Sequence, residues 1–600
     1  MKLFYLIMDI VLIFISGILQ MEIFSLSWSY LRVIMFLHIL GAVILILYFI
    51  LPFIFTHVKE SVFVAKQKSI SGIFFGISFL LVCISGVYLF LVGNRGGDIY
   101  GVFAYYIHLY GSFVLIALLI IHIKKRIATP LVSLFAVFLF LLSPPKLHSE
   151  SEKLSNIQLK EGISRYHNGE WKNSVTCKAC HPEIFAEWAD SNHRHLADSN
   201  PYYMVMENLA GMDKGEEFRE WCMGCHNPSA VTTKQTRTTH FMQENIMPNP
   251  LFTQGSANLI ATYKKDPKRL EQGVSCIGCH RMSDNKTMGN SAYTLGIKST
   301  KRYLFGAAHA GLKQWMNEKL INANPKVHKK EYMKDSYSKS SYCASCHNEF
   351  LPHSKKMVVA TYDEWRDSPY NNPKNQSEHK DCQDCHMSYI KSGSFVGKSG
   401  FSTQGGHYKK HIKTHYFTGA NHFLAGLKNK EHEAQSIALL KTAAKLDVDL
   451  KDNTLYVGVT NSGAGHHLPT GASDFRELWL EVIVKDAEGN ILLHSGFLDK
   501  NGNIEPNAIV FQKVFGDKEG NAVGLFFWRY EKLLKDTRIP AKKRKEHSFN
   551  IVKNAQYPLD IVVKLNFRIY PQWVTDIVKA AYPTLPNPPV VTINEFKGKF

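Results

Sequence analysis

The chain has 600 residues and a formal net charge of +19 at pH 7, with 45% hydrophobic and 20% charged residues. This length excludes a single ordinary domain, and we expect three or more. The average composition hides a division, because residues 1 to about 144 are almost wholly apolar and the rest is polar and rich in Lys, His and Cys. We predict a membrane part followed by a water-soluble part.

Five apolar runs occupy the first part of the chain. They lie at about 3–21, 30–55, 70–92, 102–123 and 130–144. The second, third and fourth runs are long enough to cross a bilayer. No small-residue cleavage site follows the first run before Met21, so we interpret it as a retained span rather than a signal peptide. The fifth run is the shortest and ends at Pro144.

The distribution of charge between these runs predicts their orientation. Lys and Arg residues follow the second and fourth runs, whereas the loops around Glu22 and Asp98 are nearly free of cations. The positive-inside rule therefore places the N-terminus and the lysine-rich loops in the cytoplasm. With five spans, residues 145–600 would lie on the side of the membrane opposite the N-terminus. We predict a multi-pass protein of the bacterial inner (cytoplasmic) membrane, with its soluble part in the periplasm or outside.

Two pairs of histidines lie in the apolar runs or at their ends, and an ionisable residue inside a membrane is a functional candidate by default. His38 and His108 lie at a similar depth, about 10 Å below the outer surface. Imidazoles that face each other from two helices can ligate one b-type haem. His57 and His122 are candidates for a second haem, with a mismatch of about 7 Å along the helices. Hydrogen-bonded or interfacial histidines are the alternative. The layout resembles small cytochrome b-type membrane domains that carry electrons from quinol.

Five Cys-x-x-Cys-His segments account for ten of the eleven cysteines. Their cysteines are Cys177 and Cys180, Cys222 and Cys225, Cys276 and Cys279, Cys343 and Cys346, and Cys382 and Cys385, followed by His181, His226, His280, His347 and His386. Two thiols at this spacing can bond the vinyl groups of one haem, and the next residue then provides the proximal ligand of the iron. Zinc sites, a thioredoxin-like motif and a disulfide framework do not explain five copies of one spacing. We predict five covalent c-type haems.

The haems also explain two features of residues from about 165 to 430. Little helical or strand periodicity is visible there, with short helical pieces carrying the motifs. Porphyrins are large apolar bodies that would supply the missing core. Each haem brings two propionates, which offset the basic charge, so we predict no nucleic-acid partner.

Four segments resemble the multihaem cytochrome c family related to the tetrahaem partner of hydroxylamine oxidoreductase. They are Trp188-Ala-Asp-Ser191-Asn-His193, Gly273-Val-Ser-Cys276, Ser341-Tyr-Cys343-Ala-Ser-Cys346-His347 and Cys382-Gln-Asp-Cys385-His386-Met387, within about 170–425. The resemblance implies that His193 is a distal haem ligand and that His328 and His415 are candidates for this role. His195 lies two residues after His193 and would face elsewhere on a helix.

One of these segments recurs with a change. Glu187-Trp188-Ala-Asp-Ser191-Asn-His193 returns as Glu364-Trp365-Arg-Asp-Ser368-Pro-Tyr370. Tyr370 in place of His leaves two alternatives: another histidine serves, or one haem is open to a substrate. His240 and His309 are further distal candidates that stand isolated between motifs, with a surface histidine as the alternative.

The pattern changes to alternation in the C-terminal part. After a predicted helix at 431–446, strands are predicted at Leu450–Val459, Leu478–Val484 and Ile561–Ile569. Asp486-Ala-Glu-Gly489-Asn and Asp499-Lys-Asn-Gly502-Asn predict turns. We expect an antiparallel β-sandwich at roughly 447–600. His466 lies in a Gly465–Gly471 loop similar to one in related multihaem cytochromes, and it is either a further distal ligand or part of a structural turn.

These predictions give three parts: a transmembrane cytochrome b-like helical domain (1–145), a mostly α and loop pentahaem cytochrome c domain (146–430), and a linker helix with the β-sandwich (431–600). The predicted function is electron transfer from the quinol pool or a membrane partner, through one or two b-type haems and five c-type haems, to a periplasmic or extracellular redox partner. The alternative is a multihaem reductase of a small nitrogen or sulfur oxyanion at one open haem. We identify no separate catalytic residue, and an oligomer is possible.

Overall fold

The computed structural model describes most of the chain. Described are residues 2–21, 24, 26–50, 70–93, 99–123, 174–197, 199–233, 273–283, 287, 289–295, 303–306, 308, 311–352, 354–372, 374–375, 377–404, 408–551 and 556–600. They form two compact units, each with its own core. The first unit comprises Met1–Asn156, Lys298–Met333 and Phe401–Tyr408, and the second comprises Ile157–Ile297, Lys334–Gly400 and Lys409–Phe600. The predicted three-part division stays a prediction.

The helices are numbered in chain order. They are α1 (Lys2–Ile18), α2 (Trp28–Ile44, continued by a π-helix at Leu45–Ile50), α3 (Ile70–Leu91), α4 (Ile99–Ile123), α5 (Val175–Lys178), α6 (Pro182–Ala189), α7 (Pro201–Lys214), α8 (Glu216–His226), α9 (Pro228–Thr233), α10 (Cys276–His280), α11 (Gly311–Ala323), α12 (Pro325–Tyr332), α13 (Ser340–His347), α14 (Thr361–Arg366), α15 (Cys382–His386), α16 (His422–Gly426), α17 (Lys430–Lys441) and α18 (Gln572–Ala581).

The strands are numbered in the same way. They are β1 (Met282–Ser283), β2 (Thr294–Leu295), β3 (Glu349–Phe350), β4 (Met357–Val359), β5 (Tyr389–Lys391), β6 (Ser394–Val396), β7 (Lys398–Phe401), β8 (Tyr408–Ile412), β9 (Lys445–Lys451), β10 (Thr454–Thr460), β11 (Glu477–Lys485), β12 (Ile491–Ser495), β13 (Lys513–Gly516), β14 (Lys532–Asp536), β15 (Arg544–Asn550), β16 (Asp560–Arg568) and β17 (Val591–Lys599).

Apolar helices dominate the first unit. Trp28–Tyr48, Ile73–Leu91 and Ile99–Ile121 are long and apolar enough to cross a membrane, in agreement with the second, third and fourth predicted runs. Helix α1 is shorter, and residues 124–144, which contain the fifth run, lie outside the described residues. The association of this unit with a membrane follows from these helices, and the number of five spans stays a prediction.

Two hairpins of apolar helices pack together in this unit, α1 with α2 and α3 with α4. Ile10, Leu45 and Leu119 form a buried cluster between them, and Phe14 meets Phe113 edge to face at 5.4 Å. Many of the outward side chains are large and apolar, which suits a surface solvated by lipid rather than water.

Short helices carry the motifs of the second unit, as the sequence predicted. Ser275 caps α10, because its Oγ accepts a hydrogen bond from the amide of Gly278 at 3.0 Å. Asp381 caps α15 in a capping box with Asp384. Such caps let a single turn of helix form where the sequence is too short to be helical alone. Each cap precedes a motif and fixes the direction from which its two thiols project.

Antiparallel sheets build the C-terminal part, as predicted. One sheet has the order β15-β10-β9 and the other β12-β11-β16-β17, and both contribute to one apolar core. The single strand predicted at Leu450–Val459 is wrong, because β9 and β10 form a hairpin there. Asp452 and Asn453 adopt positive φ at its turn, a conformation that Asp and Asn tolerate. The sandwich itself stays a prediction.

Candidate functional site

His38 and His108 face each other inside the membrane helices. The first projects from α2 and the second from α4, with ring centres 6.1 Å apart and ring planes at 86°. The equal depth of these two residues in the sequence predicts the pair, and the structure brings their rings together. His57 lies outside the described residues, as does the side chain of His122.

The backbone fixes the tautomer of both imidazoles. His38 Nδ1 lies 2.9 Å from the carbonyl oxygen of Ile13, and His108 Nδ1 lies 3.0 Å from that of Val82. A carbonyl oxygen only accepts, so Nδ1 carries the proton in each ring. The Nε2 atom of each ring therefore keeps a lone pair, the form that a metal ligand requires.

The two helix hairpins share a sequence repeat. Ile13-Phe-Ile-Ser16-Gly17 in α1 matches Val82-Cys-Ile-Ser85-Gly86 in α3, and His38-Ile-Leu-Gly41 in α2 matches His108-Leu-Tyr-Gly111 in α4. A Cβ on Gly41 would meet Ile13 at 3.0 Å, and a Cβ on Gly111 would meet Val82 at 3.0 Å. Each hairpin thus brings its helices together at a glycine and supplies one imidazole.

Sequence analysis missed this repeat, although the short Ile-Ser-Gly signature was visible. The repeat also bears on the second predicted pair of histidines. The offset between His38 and His108 aligns His57 with Ile127 and His122 with Pro52. His57 and His122 therefore do not occupy equivalent positions, in contrast to His38 and His108.

In the described part of the second unit, three motif histidines each face a further imidazole. The pairs are His193 with His347 at 6.2 Å between ring centres, His280 with His415 at 6.3 Å, and His386 with His466 at 6.2 Å. The partners His193, His415 and His466 are the distal candidates that sequence analysis named. In the chain, they lie far from the motifs whose histidines they face.

These separations fit one iron atom between two nitrogens. Two metal–nitrogen bonds of roughly 2 Å and about 1.1 Å from each ring centre to its nitrogen add to about 6 Å. Two aromatic rings in direct contact would not need a separation of about 6 Å between their centres. The donor set fits haem iron with two axial imidazoles, in the membrane helices as well as in the second unit.

Hydrogen bonds again leave Nε2 free in the second unit. His386 Nδ1 donates to the carbonyl oxygen of Thr418 at 2.7 Å, and His466 Nδ1 donates to that of His467 at 2.8 Å. His415 Nδ1 donates to a carbonyl oxygen in the same way at 3.2 Å. Each ring is therefore held in the tautomer that a metal ligand needs.

Burial keeps these imidazoles neutral. It lowers the pKa of His193 to about 3, helped by the neighbouring His347 and His386. Burial likewise lowers the pKa of His415 to about 3 and that of His347 to about 4. At pH 7 these rings are therefore neutral, and each has one nitrogen without a proton that can bind a metal ion.

Two copies of one arrangement position the motifs. In the first copy, the indole of Trp188 donates to the carbonyl oxygen of Val274 at 2.8 Å, two residues before the third motif. The amide of Cys276 donates to Ser174 Oγ at 3.1 Å. Glu187 accepts the backbone amide of His415 at 2.8 Å. The first copy thereby joins the first motif, the third motif and a distal candidate.

The second copy repeats these contacts. The indole of Trp365 donates to the carbonyl oxygen of Lys380 at 2.8 Å, two residues before the fifth motif. The amide of Cys382 donates to Ser340 Oγ at 2.9 Å. Glu364 accepts the backbone amide of His467 at 3.2 Å, beside the distal candidate His466. The repeat noticed in the sequence is therefore a repeat of structure.

Tyr370 occupies the place of His193 in the second copy. The amide of Val274 donates to the carbonyl oxygen of His193, and the amide of Lys380 donates to that of Tyr370. The Tyr370 hydroxyl donates to the carbonyl oxygen of Ser462 at 3.0 Å. Its ring thus packs on the C-terminal part, while His347 is already faced by His193. Tyr370 does not replace a distal ligand of the fourth motif.

The fourth motif lies at the centre of the motif cluster. The Cys346 thiol is in hydrogen-bond contact with Cys225 of the second motif, and the Cys343 thiol with Cys382 of the fifth. The Tyr342 hydroxyl donates to the carbonyl oxygen of Cys279 in the third motif. Groups attached to these cysteines are therefore close neighbours, as sequential electron transfer requires. The ten motif cysteines all lie in the described part of the chain and form no disulfide bonds there.

The remaining predicted residues lie away from these imidazole pairs or outside the described part of the chain. His328 belongs to the first unit, where its ring lies 4.8 Å from that of Tyr332. His226 donates from Nδ1 to the carbonyl oxygen of Leu196 at 3.1 Å. Both nitrogens of His195 are hydrogen-bonded to protein atoms, Nδ1 to Ser199 Oγ at 2.8 Å and Nε2 to the carbonyl oxygen of Ala189 at 3.0 Å. Outside the described residues lie His240 and His309.

Comparison with known proteins gives two matches. Residues 176–247, which include the first two motifs, match the family described as cytochrome c554 and c-prime. A penta-heme cytochrome c552 from Thermochromatium tepidum is similar in structure, with 19% identity, a TM-score of 0.44, and coverage of 71% of this chain and 98% of that one. No curated protein matches the sequence. The family match supports the prediction of a multihaem c-type cytochrome, while the relation to the hydroxylamine oxidoreductase partner and the b-type fusion stay predictions.

Proposed function

We propose that this chain is a membrane-anchored multihaem cytochrome that passes electrons from quinol, or from a membrane partner, through one b-type haem and five c-type haems to an external acceptor. One observation carries the proposal. In the described part of the chain, four pairs of imidazoles have ring centres 6.1–6.3 Å apart, a separation that fits one iron atom between two nitrogens. A bound haem supplies reversible one-electron exchange at its iron.

The membrane haem is assigned to His38 and His108. The carbonyl oxygens of Ile13 and Val82 orient the rings and hold their protons on Nδ1. The doubled hairpin supports one such haem, because it places one imidazole in each copy. Quinol is the donor class that a membrane-embedded electron carrier can reach without leaving the bilayer.

The c-type haems are assigned to the five Cys-x-x-Cys-His motifs, with the motif histidines as proximal ligands. We assign His193, His415 and His466 as distal ligands opposite His347, His280 and His386. His328, His240 and His309 remain candidates for the first and second motifs. Two axial imidazoles favour a low-spin electron carrier over an open catalytic iron.

The soluble part is proposed to lie in the periplasm or outside, on an inner-membrane anchor. Covalent haem attachment happens outside the cytoplasm, and the lysine-rich loops favour a cytoplasmic N-terminus. A periplasmic or extracellular redox protein is the proposed acceptor class.

A redox titration of the membrane-extracted protein, followed by visible spectroscopy, tests the proposal directly. We expect c-type and b-type absorbance in a ratio of five to one, and a mass increase of five haems on the denatured polypeptide. A polypeptide without covalent haem would contradict the whole assignment. A protein with c-type haems but no b-type absorbance would contradict only the membrane site.

Gly86→Ala is expected to abolish b-type haem binding. A Cβ at this position would lie 2.8 Å from Cε1 of His108, so the ring must leave its place between the two helices. The matched control is Gly76→Ala in the same helix, where a Cβ meets nothing within 4 Å. Haem b content of the purified variants is measured spectroscopically. Equal content in both variants would contradict the assignment of His108.

His193→Ala is expected to convert one low-spin c-type haem to high spin without changing the number of attached haems. The substitution removes the imidazole that faces His347 and leaves both thioether cysteines intact. Electron paramagnetic resonance counts the high-spin ferric sites. Tyr370→Phe serves as control and should leave the spectrum unchanged, because its hydroxyl is bound to Ser462. A high-spin change in Tyr370→Phe instead would support the oxyanion-reductase alternative.

A further inference from the structure

One phenylalanine lies against two of the distal candidates. The centre of the Phe417 ring is 4.3 Å from that of His193 and 5.5 Å from that of His415. These two imidazoles face different motif histidines, His347 and His280. All five residues belong to the second unit. A single side chain therefore packs on the predicted axial ligands of two haems.

The backbone of Phe417 has a conformation that is unusual for a bulky residue. Its φ is 49°, in the left-handed region that residues other than Gly, Asn and Asp seldom adopt. Such a conformation persists only where the surrounding structure holds it in place, and it occurs most often at functional sites. The strained backbone of Phe417 therefore points to a role for its side chain.

Hydrogen bonds on both sides of Phe417 hold the chain in this conformation. The amide of Thr414 donates to the carbonyl oxygen of Met387 at 2.8 Å, and the amide of Thr418 donates to that of His386 at 3.0 Å. The carbonyl oxygen of Thr418 in turn accepts a hydrogen bond from His386 Nδ1 at 2.7 Å. The fifth motif thus fixes the backbone before and after Phe417.

His193 depends on packing for the orientation of its ring. The Nδ1 atoms of His386, His415 and His466 each have a carbonyl oxygen as hydrogen-bond partner. In the part of the chain that the structure describes, the buried Nδ1 of His193 has no such partner. An axial imidazole without this hydrogen bond is free to turn about its metal–nitrogen bond unless a neighbour blocks it. The ring of Phe417, at 4.3 Å, is such a neighbour.

The two imidazole pairs that Phe417 adjoins differ in their angles. The ring planes of His193 and His347 are at 64°, whereas those of His280 and His415 are at 15°. The angle between two axial imidazoles shapes the low-spin ferric spectrum of a haem, and the groups that orient the ligands tune its potential. The two haems are therefore expected to give different low-spin signals, both sensitive to the ring of Phe417.

We propose that Phe417 is a positioning residue shared by two haems: its ring holds the imidazole of His193 at a steep angle to that of His347 and packs against His415. This inference rests on the proposed function, because it requires haems at the third and fourth motifs. Phe417 binds no metal itself. It acts on both haems through the two imidazoles on which it packs.

The test uses electron paramagnetic resonance of the oxidised full chain. His193→Ala and His415→Ala first assign the two signals, because each variant should replace one low-spin signal with a high-spin one. Phe417→Gly then removes the ring but keeps the backbone conformation, since glycine adopts positive φ readily. We expect both assigned signals and both reduction potentials to shift, with five covalent haems still counted by mass spectrometry. The signal of the haem between His386 and His466 should stay in place.

Three further variants separate the ring from a general disturbance. Phe417→Tyr keeps an aromatic ring and should retain both signals. Phe417→Leu keeps apolar volume without a flat ring, so it should shift both signals, and it decides the test if Phe417→Gly yields little haem-loaded protein. Phe395→Gly is the matched control, because this phenylalanine of β6 is 37% exposed. It should change neither signal.

Unchanged signals in Phe417→Gly and Phe417→Leu would overturn the proposal. A shift of only one signal would overturn the shared role. A shift that also includes the haem between His386 and His466, or that appears equally in Phe417→Tyr, would indicate a disturbed backbone and overturn it as well. Absence of low-spin c-type signals in the unmodified protein would instead contradict the proposed function.

Discussion

His108→Ala should remove the b-type absorbance completely and leave all five c-type haems attached. The ring of His108 provides half of the pair with His38, and no side chain of alanine can span the gap of 6.1 Å between ring centres. The haem b of a four-helix site is held by its axial ligands and apolar packing alone, without thioether bonds. Visible spectra of the dithionite-reduced protein measure the loss, and mass spectrometry counts the covalent haems.

His108→Ala should have an equally large effect on electron transfer from quinol. Quinol should no longer reduce the c-type haems, whereas a soluble reductant should still reduce them at the original rate. His122→Ala is the control, because the hairpin repeat gives His122 no counterpart. Loss of half the b-type absorbance in His122→Ala would show a second haem and contradict our assignment of one. Retention of full absorbance in His108→Ala would remove His108 from the site.

Removal of the fourth motif should have the largest effect on folding. In a variant with Cys343→Ser, Cys346→Ser and His347→Gly, we expect loss of the whole folded holoprotein rather than of one haem. The fourth motif contacts the second, third and fifth motifs. Truncation of one buried Phe or Trp already costs about 3–5 kcal/mol, and a haem has more apolar surface than either. Yield of haem-loaded protein and its protease resistance are the measurements.

The matched variant changes the first motif in the same way, with Cys177→Ser, Cys180→Ser and His181→Gly. This motif begins the described part of the second unit, and its Ser174 joins it to the third motif. We expect a folded protein that has lost one haem. Similar yields of the two variants, each with four haems, would show that the fourth motif is not the centre of the cluster.

The membrane histidines show how far sequence reasoning reached. Their place in apolar runs and their equal depth predicted a pair, and the two rings lie 6.1 Å apart in the structure, while the haem between them stays a prediction. The sequence also contained a repeated Ile-Ser-Gly segment. The carbonyl groups of Ile13 and Val82, two residues before each copy, orient both rings, but this role was not recognised. Carbonyl acceptors are chemically identical along the whole chain, so only the fold identifies the two that matter.

Tyr370 illustrates the opposite case. The sequence correctly revealed the repeat and the substitution of His193 by tyrosine, but it left two interpretations open. The structure places the Tyr370 hydroxyl on Ser462, in a part of the chain that follows it by many residues. That contact depends on the packing of the C-terminal part, which no local pattern encodes.

The number and place of the predicted covalent haem attachments follow from the sequence itself, because five adjacent residues contain all the chemistry of a thioether site. The apolar spans were likewise predicted from local sequence, since composition over about 20 residues decides partition into a bilayer. The imidazoles that face His347, His280 and His386 were decided by the tertiary structure. An axial ligand is a single imidazole at the right distance from the iron, and several histidines in the sequence could provide it. Only the folded chain shows that His193, His415 and His466 face motif histidines.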